Sequence, residues 1–232
     1  MQTVILAGGR GIRLSPITDH LPKPMVAIKD KPFLEYILLM LKRNSLKKIL
    51  LCVGYLGDKI EAYFGDGQRL GMEIKYSYEK ELLGTGGALK LAGDLIEEEF
   101  LLLYGDSYLD IEYGNFIKFF KNQKTIGALV IYDNAHGDTR VKNNIAIEGD
   151  LIIKYDKVNE DKSLKYVEAG ASIFRRQVLG IIDDNRFVSL ENDIFPLLIK
   201  NKELTGYQSK SRFYDIGACD RLSCFENSKF KP

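Results

Sequence analysis

The chain has 232 residues, with 33 basic and 32 acidic side chains and a net charge of +1. That balance excludes the basic face needed to grip nucleic acid or an anionic membrane surface, so any anion binding must come from a local cluster. Three cysteines (Cys52, Cys219 and Cys224) without C-x-x-C spacing argue against a disulfide framework or a zinc site. With no basic-then-apolar leader and no run as long as a membrane span, the expected location is the cytoplasm.

The chain opens on Thr3-Val4-Ile5-Leu6, a short apolar run that reads as a buried strand. It breaks into Ala7-Gly8-Gly9-Arg10-Gly11-Ile12-Arg13, with Leu21-Pro22-Lys23-Pro24-Met25 soon after. Residues without a Cβ let a ligand lie against main-chain N–H groups. Arg13 and Lys23 add charge for phosphate, so a nucleoside triphosphate is the first ligand to consider. Helical spacing puts Phe33, Ile37, Met40 and Leu41 on one face of a helix over 33–41. A strand is expected at 48–53, a helix at 57–64, a strand at 72–78 and a helix at 85–95. A strand at 100–104, a helix at 111–120 and a strand at 126–132 complete the first half. This rhythm predicts an α/β fold: a Rossmann-like, doubly wound, mixed and mostly parallel sheet.

The second half changes character. Residues 144–155 read as two strands around a Gly149-Asp150 turn, and 166–174 as a strand with Gly170 inside it. Helices are expected at 175–182 and 190–200, short strands at 204–207 and 212–215, and a closing helix at 218–227. No linker, repeat or low-complexity segment interrupts the chain. The simplest organisation is one domain over 1–232, with a nucleotide-binding half to about residue 132 and an acceptor-binding half after it. In open α/β sheets ligands lie at the carboxyl ends of strands. Gly8-Gly9, Gly54 and Gly105-Asp106 all follow strands and should cluster there.

The opening loop is neither a dinucleotide fingerprint, since residue 14 is Leu, nor a P-loop, since no Gly-Lys-Ser/Thr follows. Leu6-Ala7-Gly8-Gly9-x-Gly11-x-Arg13-Leu14 with Pro22-Lys23-Pro24-Met25 instead resembles the signature of the sugar-1-phosphate nucleotidyltransferases. The resemblance implies the nucleotide-diphospho-sugar transferase fold. It also implies a reaction that joins a sugar 1-phosphate to the nucleoside monophosphate of an NTP and releases pyrophosphate. It gives Leu6, Ala7, Gly8, Gly9 and Gly11 to the nucleotide, Arg13 to the departing pyrophosphate and Lys23 to phosphate oxygens at the reacting centre.

The resemblance continues along the chain. Leu83-Gly84-Thr85-Gly86-Gly87-Ala88 is similar to the family's second glycine loop, which implies nucleotide contacts at Gly84, Thr85 and Gly86. Tyr104-Gly105-Asp106 and Phe213-Tyr214-Asp215-Ile216-Gly217 resemble the two segments whose carboxylates, here Asp106 and Asp215, hold Mg2+. Tyr155-Asp156-Lys157-Val158 stands where the family has Glu-Lys-Pro, which implies that Lys157 grips the sugar's phosphate. Glu168-Ala169-Gly170 stands where the family has Asn-Ala-Gly and implies sugar contacts at Glu168 and Gly170. The full pattern most resembles guanylyltransferases acting on D-glycero-α-D-manno-heptose 1-phosphate, with GTP as donor. Mannose-1-phosphate guanylyltransferases and other uridylyl-, thymidylyl- or cytidylyltransferases share most of the motifs.

The implied partners are an NTP and a sugar 1-phosphate, with homo-oligomers common in the family and neither nucleic acid nor membrane involved. The hexapeptide-repeat segment of bifunctional relatives is missing, so no acetyltransferase activity is expected. A glycosyltransferase would carry Asp-x-Asp where this chain has Gly105-Asp106-Ser107. A non-catalytic sensor would have no use for Arg13, Lys23, Asp106 and Asp215. His20 and His136 read as loop residues, and Cys219 and Cys224 as packing residues.

Overall fold

The computed structural model describes residues 1–158, 161–184 and 186–227. Strand β1 (Gln2–Leu6) runs straight into the glycine loop. Two antiparallel two-residue strands, β2 (Ala27–Ile28) and β3 (Lys31–Pro32), lead into α1 (Phe33–Arg43). Then follow β4 (Lys48–Val53), α2 (Gly57–Phe64), β5 (Glu73–Tyr78), α3 (Gly84–Leu91) and β6 (Glu99–Tyr104). A short β7 (Ser107–Tyr108) precedes α4 (Tyr113–Lys121) and β8 (Gly127–Asp133). The remainder comprises β9 (Ile145–Glu148), β10 (Leu151–Tyr155), β11 (Tyr166–Arg175) and α5 (Phe195–Lys200), then β12 (Leu204–Ser209), β13 (Tyr214–Asp215) and α6 (Cys219–Glu226).

One nine-stranded sheet, ordered β5-β4-β1-β6-β11-β8-β12-β10-β9, runs through both halves of the chain. The β5, β4, β1 and β6 block is parallel throughout, as βαβ crossovers require. Antiparallel pairing begins where β11 joins β6, and β8 and β12 are again parallel to each other. Alternation along the strands sets the two faces. Ile5, Leu51, Val53, Leu101 and Leu103 point to the side covered by α1, α2, α4 and α6. Val4, Leu50, Cys52, Phe100 and Leu102 point to the side covered by α3 and α5. The doubly wound α/β reading therefore holds, and its apolar strands are long-buried runs because both faces are covered.

The second half departs from expectation in places with physical causes. Arg175 stays in β11, opposite Glu99, because its guanidinium is fastened there: Nη1 lies 2.6 Å from Glu99 Oε1, and Nε and Nη2 donate to the Thr125 and Gln123 carbonyls. Only a 3-10 turn, Arg176–Gly180, follows where a helix over 175–182 was expected. The expected helix over 190–200 divides into a π-turn at Leu190–Ile194 and α5. Ser189 accepts the Asn192 N–H and so caps the turn, while Pro196 at the start of α5 needs no N–H partner there.

The closing helix is clamped by one ring. Phe225 is buried with its centroid 4.9 Å from Phe33, 5.3 Å from Tyr108 and 6.0 Å from Tyr214, all in edge-on geometry. Truncating this ring opens a cavity between α1, β7 and β13. We expect Phe225→Ala to lower unfolding stability by about 3–5 kcal/mol. Cys224→Ala, at the half-buried neighbouring position, should shift it much less. Urea midpoints of the two variants against the parent decide this.

Candidate active site

The carboxyl ends of three central strands are tied into one edge. The Ala7 N–H donates to the Cys52 carbonyl and the Gly105 N–H to the Leu6 carbonyl, each at 2.8 Å, and the Tyr55 N–H donates to the Gly8 carbonyl. The opening loop, the segment after β4 and Gly105-Asp106 thus meet, as the strand-end rule anticipates. Gly11 sits at φ +65°, and a Cβ there would come within 2.8 Å of Lys23 Cβ, so only glycine lets the Lys23 segment lie against the loop. A cleft of about 400 Å³ results, walled by Leu6, Ala7, Gly8, Gly9 and Gly11 on one side and by Gly84 and Thr85 on the other. Arg13, Lys23 and Asp106 also line it. Gly86 lies behind this wall. Its N–H donates to the Val188 carbonyl at 2.8 Å, and a Cβ would meet Val188 Cγ1 at the same distance, so its glycine serves packing.

Asp106 and Asp215, far apart in sequence, are adjacent in space. Strand β13 pairs antiparallel with β7, setting Asp215 opposite Ser107, and the Ile216 N–H donates to the Asp106 carbonyl at 3.0 Å. Each carboxylate carries its own cation. Lys23 Nζ, on a buried side chain, lies 2.5 Å from Asp106 Oδ2, and Arg221 Nη1 lies 3.2 Å from Asp215 Oδ2. Burial alone would raise the Asp106 carboxyl, but Lys23, helped by Ser107 and Arg13, holds it below its ordinary value. Asp215 goes the other way. Burial lifts it and the Asp106 charge adds to the lift, against Arg221 and the Gly217 N–H.

A second cleft, about 310 Å³, opens beyond these carboxylates and shares Arg13, Thr85, Tyr104 and Asp106 with the first. Lys157, Glu168, Gly170, Glu191, Asp215 and Arg221 contribute to its lining. Gly170 makes room for it. At φ +78°, in a bulge where β11 slips register against β8, its missing Cβ would be 2.7 Å from Ser107 Cβ. The same bulge turns the buried Glu168 toward the cleft, where Tyr155 Oη donates to Oε2 at 2.6 Å and Lys157 Nζ lies 3.6 Å away.

Glu191, Arg221 and Tyr104 were not singled out from sequence as carrying chemistry. Glu191 accepts hydrogen bonds from Tyr104 Oη (2.6 Å), Thr85 Oγ1 (2.7 Å) and Ser189 Oγ (2.8 Å), so it braces the second glycine loop against the second cleft. Burial works against its charge, but Lys157 and the Tyr104 and Thr85 hydroxyls outweigh it and hold its carboxyl low. No local signal marks it: it is one acidic residue in an amphipathic run. His20 and His136 are exposed, as expected of loop residues. Cys224 is half-buried, and the side chain of Cys219 lies outside the described part of the structure.

Burial lifts Glu168 above its ordinary 4.5, with Lys157 and Tyr155 opposing and Glu191 reinforcing. A carboxyl raised on folding contributes stability that is complete below the unfolded value and is lost as pH rises through the folded one. Glu168→Gln should therefore gain stability relative to the parent as pH climbs from about 4.5 toward neutrality. Urea midpoints of both proteins from pH 4 to 8 measure this, and a pH-independent difference would count against it.

Comparison with known proteins places this geometry. The sequence profile of the nucleotidyl transferase family matches residues 2–229. The chain is 30% identical over 221 residues to mannose-1-phosphate guanylyltransferase of Mycobacterium tuberculosis, covering 94% of this chain and 61% of that relative. It is 48% identical over 112 residues to D-glycero-alpha-D-manno-heptose 1-phosphate guanylyltransferase of Campylobacter jejuni, covering 48% of this chain and 50% of that one. The chain thus spans about half to three-fifths of the length of these curated relatives. Among solved structures, HddC from Yersinia pseudotuberculosis complexed with GMP-PN superposes with a TM-score of 0.80 at 26% identity, covering 96% of each chain. With its family profile matched from the first strand through the closing helix, the chain belongs to the nucleotidyl transferase family.

Proposed function

We propose that this chain transfers a nucleoside monophosphate from an NTP to a sugar 1-phosphate, releasing pyrophosphate and forming a nucleotide sugar. GTP is the favoured donor and D-glycero-α-D-manno-heptose 1-phosphate the favoured acceptor. The observation that carries this reading is the meeting of two clefts at one group of charged residues. A glycine-walled cleft suits the NTP, an acid- and hydroxyl-rich cleft suits a sugar phosphate, and Arg13 and Asp106 belong to both. The similarity to guanylyltransferases of heptose and mannose 1-phosphates supports the choice of substrates.

Nucleotidyl transfer needs positioning and charge compensation more than covalent catalysis. A phosphate oxygen of the sugar 1-phosphate, already anionic near neutral pH, attacks the α-phosphorus. The new O–P bond forms as the bond to the β-phosphate oxygen breaks, and pyrophosphate leaves with the electron pair. No general base is needed. In this reading the loop N–H groups and Arg13 hold the triphosphate, and Lys23 faces the reacting phosphates. Lys157 holds the acceptor's phosphate, while Glu168 and the Gly170 bulge receive the sugar.

The walls of the two clefts carry four cations (Arg13, Lys23, Lys157 and Arg221) and five carboxylates (Glu79, Asp106, Glu168, Glu191 and Asp215). A site with that balance takes two polyanionic substrates only if further positive charge comes with them. The adjacent Asp106 and Asp215 fit Mg2+, which takes one or two carboxylates together with phosphate oxygens and water. Bound there, the ion would offset phosphate charge. We place the protein in the cytoplasm, and no helix among the described residues is long and apolar enough to cross a membrane.

The test is pyrophosphate release with Mg2+ across five NTPs and a panel of sugar 1-phosphates that includes heptose, mannose, glucose and N-acetylated sugars. GTP with heptose 1-phosphate should give the highest kcat/KM, and no pyrophosphate from any pair would overturn the reading. Asp215→Asn should lower kcat by on the order of 10²–10³ with folding preserved. Lys157→Ala should raise the KM for the sugar phosphate while leaving that for the NTP in place; an equal rise in both would remove Lys157 from the acceptor side.

A further inference from the structure

Arg13 lines both clefts, yet among the described residues no hydrogen bond or ion pair holds its guanidinium. Its place is therefore set by the backbone that carries it. That backbone leaves β1 through Gly8, Gly9 and Gly11, and residues without a Cβ restrain it little. A Cβ at Gly9 would meet nothing within 4 Å, so the chain is not packed in there. Beyond this point the segment becomes one stiff piece. The Gly11 carbonyl accepts both the Leu14 N–H and the Thr18 hydroxyl, each at 2.9 Å, and Ser15 Oγ donates to Asp19 Oδ1 at 3.0 Å. Leu14 roots the piece in the core.

The outer end of the piece is gripped by two residues that belong to the wall of neither cleft. Tyr55 Oη donates to the Asp19 carbonyl and Lys59 Nζ to the His20 carbonyl, each at 2.7 Å. The main chain of Tyr55 is bonded to the loop's beginning, its N–H donating to the Gly8 carbonyl at 3.2 Å. Its ring lies under the Arg10 guanidinium, with Cζ 5.7 Å from the centroid. One residue thus holds the loop at Gly8, Arg10 and Asp19. The turn that presents it is strained. Leu56 takes φ +52°, a left-handed conformation that leucine seldom adopts, and α2 begins directly after it with Lys59 in its first turn. Strain of this kind persists where surrounding contacts over-determine the backbone, and it points to a position that matters. The core does not need either side chain, because Tyr55 is only half-buried and Lys59 is exposed.

We propose that Tyr55 and Lys59 form a clasp that positions Arg13, fixing the piece from Gly11 to His20 at the setting in which Arg13 faces both clefts. Both are positioning residues: each acts through a main-chain carbonyl of the loop, at a distance from the reacting groups. Releasing the clasp leaves Leu14 as a pivot and lowers the fraction of molecules with Arg13 in place. The affinity for an anion that needs Arg13 falls by that same fraction. The inference deepens the proposed function and rests on its assignment of Arg13 to the triphosphate, and so to pyrophosphate.

Calorimetric titration with inorganic pyrophosphate and Mg2+ tests this without donor, acceptor or turnover. Tyr55→Phe, which removes only the hydroxyl, and Lys59→Met should each bind pyrophosphate about 3- to 10-fold more weakly than the parent, as expected for one lost hydrogen bond. In an Arg13→Ala background, itself weakened, Tyr55→Phe should change nothing further, because the group it positions is gone. Thermal unfolding shows that each variant is folded, and the exposed Lys59 supplies the reading if Tyr55→Phe is not. Parent-like binding by either clasp variant overturns the inference. So does an equal loss with and without Arg13, which would mark a general loosening of the loop, or parent binding that is absent or that Arg13→Ala leaves intact. A clasp effect that vanishes with Arg13, in a protein that forms no nucleotide sugar from any pair of substrates, would sink the proposed reaction and leave this inference standing. Nucleotide-sugar formation by a protein whose clasp variants bind pyrophosphate as the parent does would keep the reaction and remove the clasp.

Discussion

Two residue pairs of antiparallel strand, Ser107 with Asp215 and Tyr108 with Tyr214, hold the site's distant parts together. Without them Asp215 has no reason to lie beside Asp106, and Arg221 has no reason to face the cleft. So short a pairing cannot persist alone. It is held from one side by Phe225 against Tyr108 and Tyr214, and from the other by the Ile216 N–H on the Asp106 carbonyl. The apolar packing of α6 is thereby coupled to the electrostatics of the cleft: a ring buried among four aromatic neighbours fixes where a carboxylate stands.

Several carboxylates share a small volume, and each is kept there by a different device. Asp106 has Lys23, Asp215 has Arg221, Glu191 has three hydroxyls, and Glu168 has one phenol and a more distant lysine. Buried ion pairs of this kind contribute little net stability, because desolvation offsets the attraction. Their consequence is positional. Each carboxylate is held by a donor or cation of its own, so the groups keep their places despite their mutual repulsion.

Much of this was legible in the sequence where local physics decides. The parallel first half follows from alternating apolar runs and amphipathic stretches, and the gathering of Gly8, Gly54 and Gly105 follows from their places after strands. Pairs that only the fold can bring together were not legible from residue pattern. Lys23 and Asp106 are 83 residues apart, and Tyr104 and Glu191 are 87 apart. The juxtaposition of Asp106 and Asp215 was reachable through resemblance alone. The two-residue strands β2, β3, β7 and β13 are too short to show a period. The π-turn at Leu190–Ile194 replaces a helix because side chains of Ser189 and Asp193 bond the backbone locally, a competition that apolar spacing does not register.

The pairing of β11 with β6 bears on how the chain is made. During synthesis β1, β4, β5 and β6 emerge first and can assemble a parallel block with local crossovers, but β6 then offers a bare edge until β11 arrives. Over that interval the nascent protein holds most of the lining of the first cleft and a row of unpaired backbone groups along Phe100–Leu103. Arg175 against Glu99 marks the point at which that edge is sealed, and β13 with α6 comes later still. The first cleft is thus encoded ahead of the second, and the exposed edge between the two is where the growing chain is most open to wrong pairing.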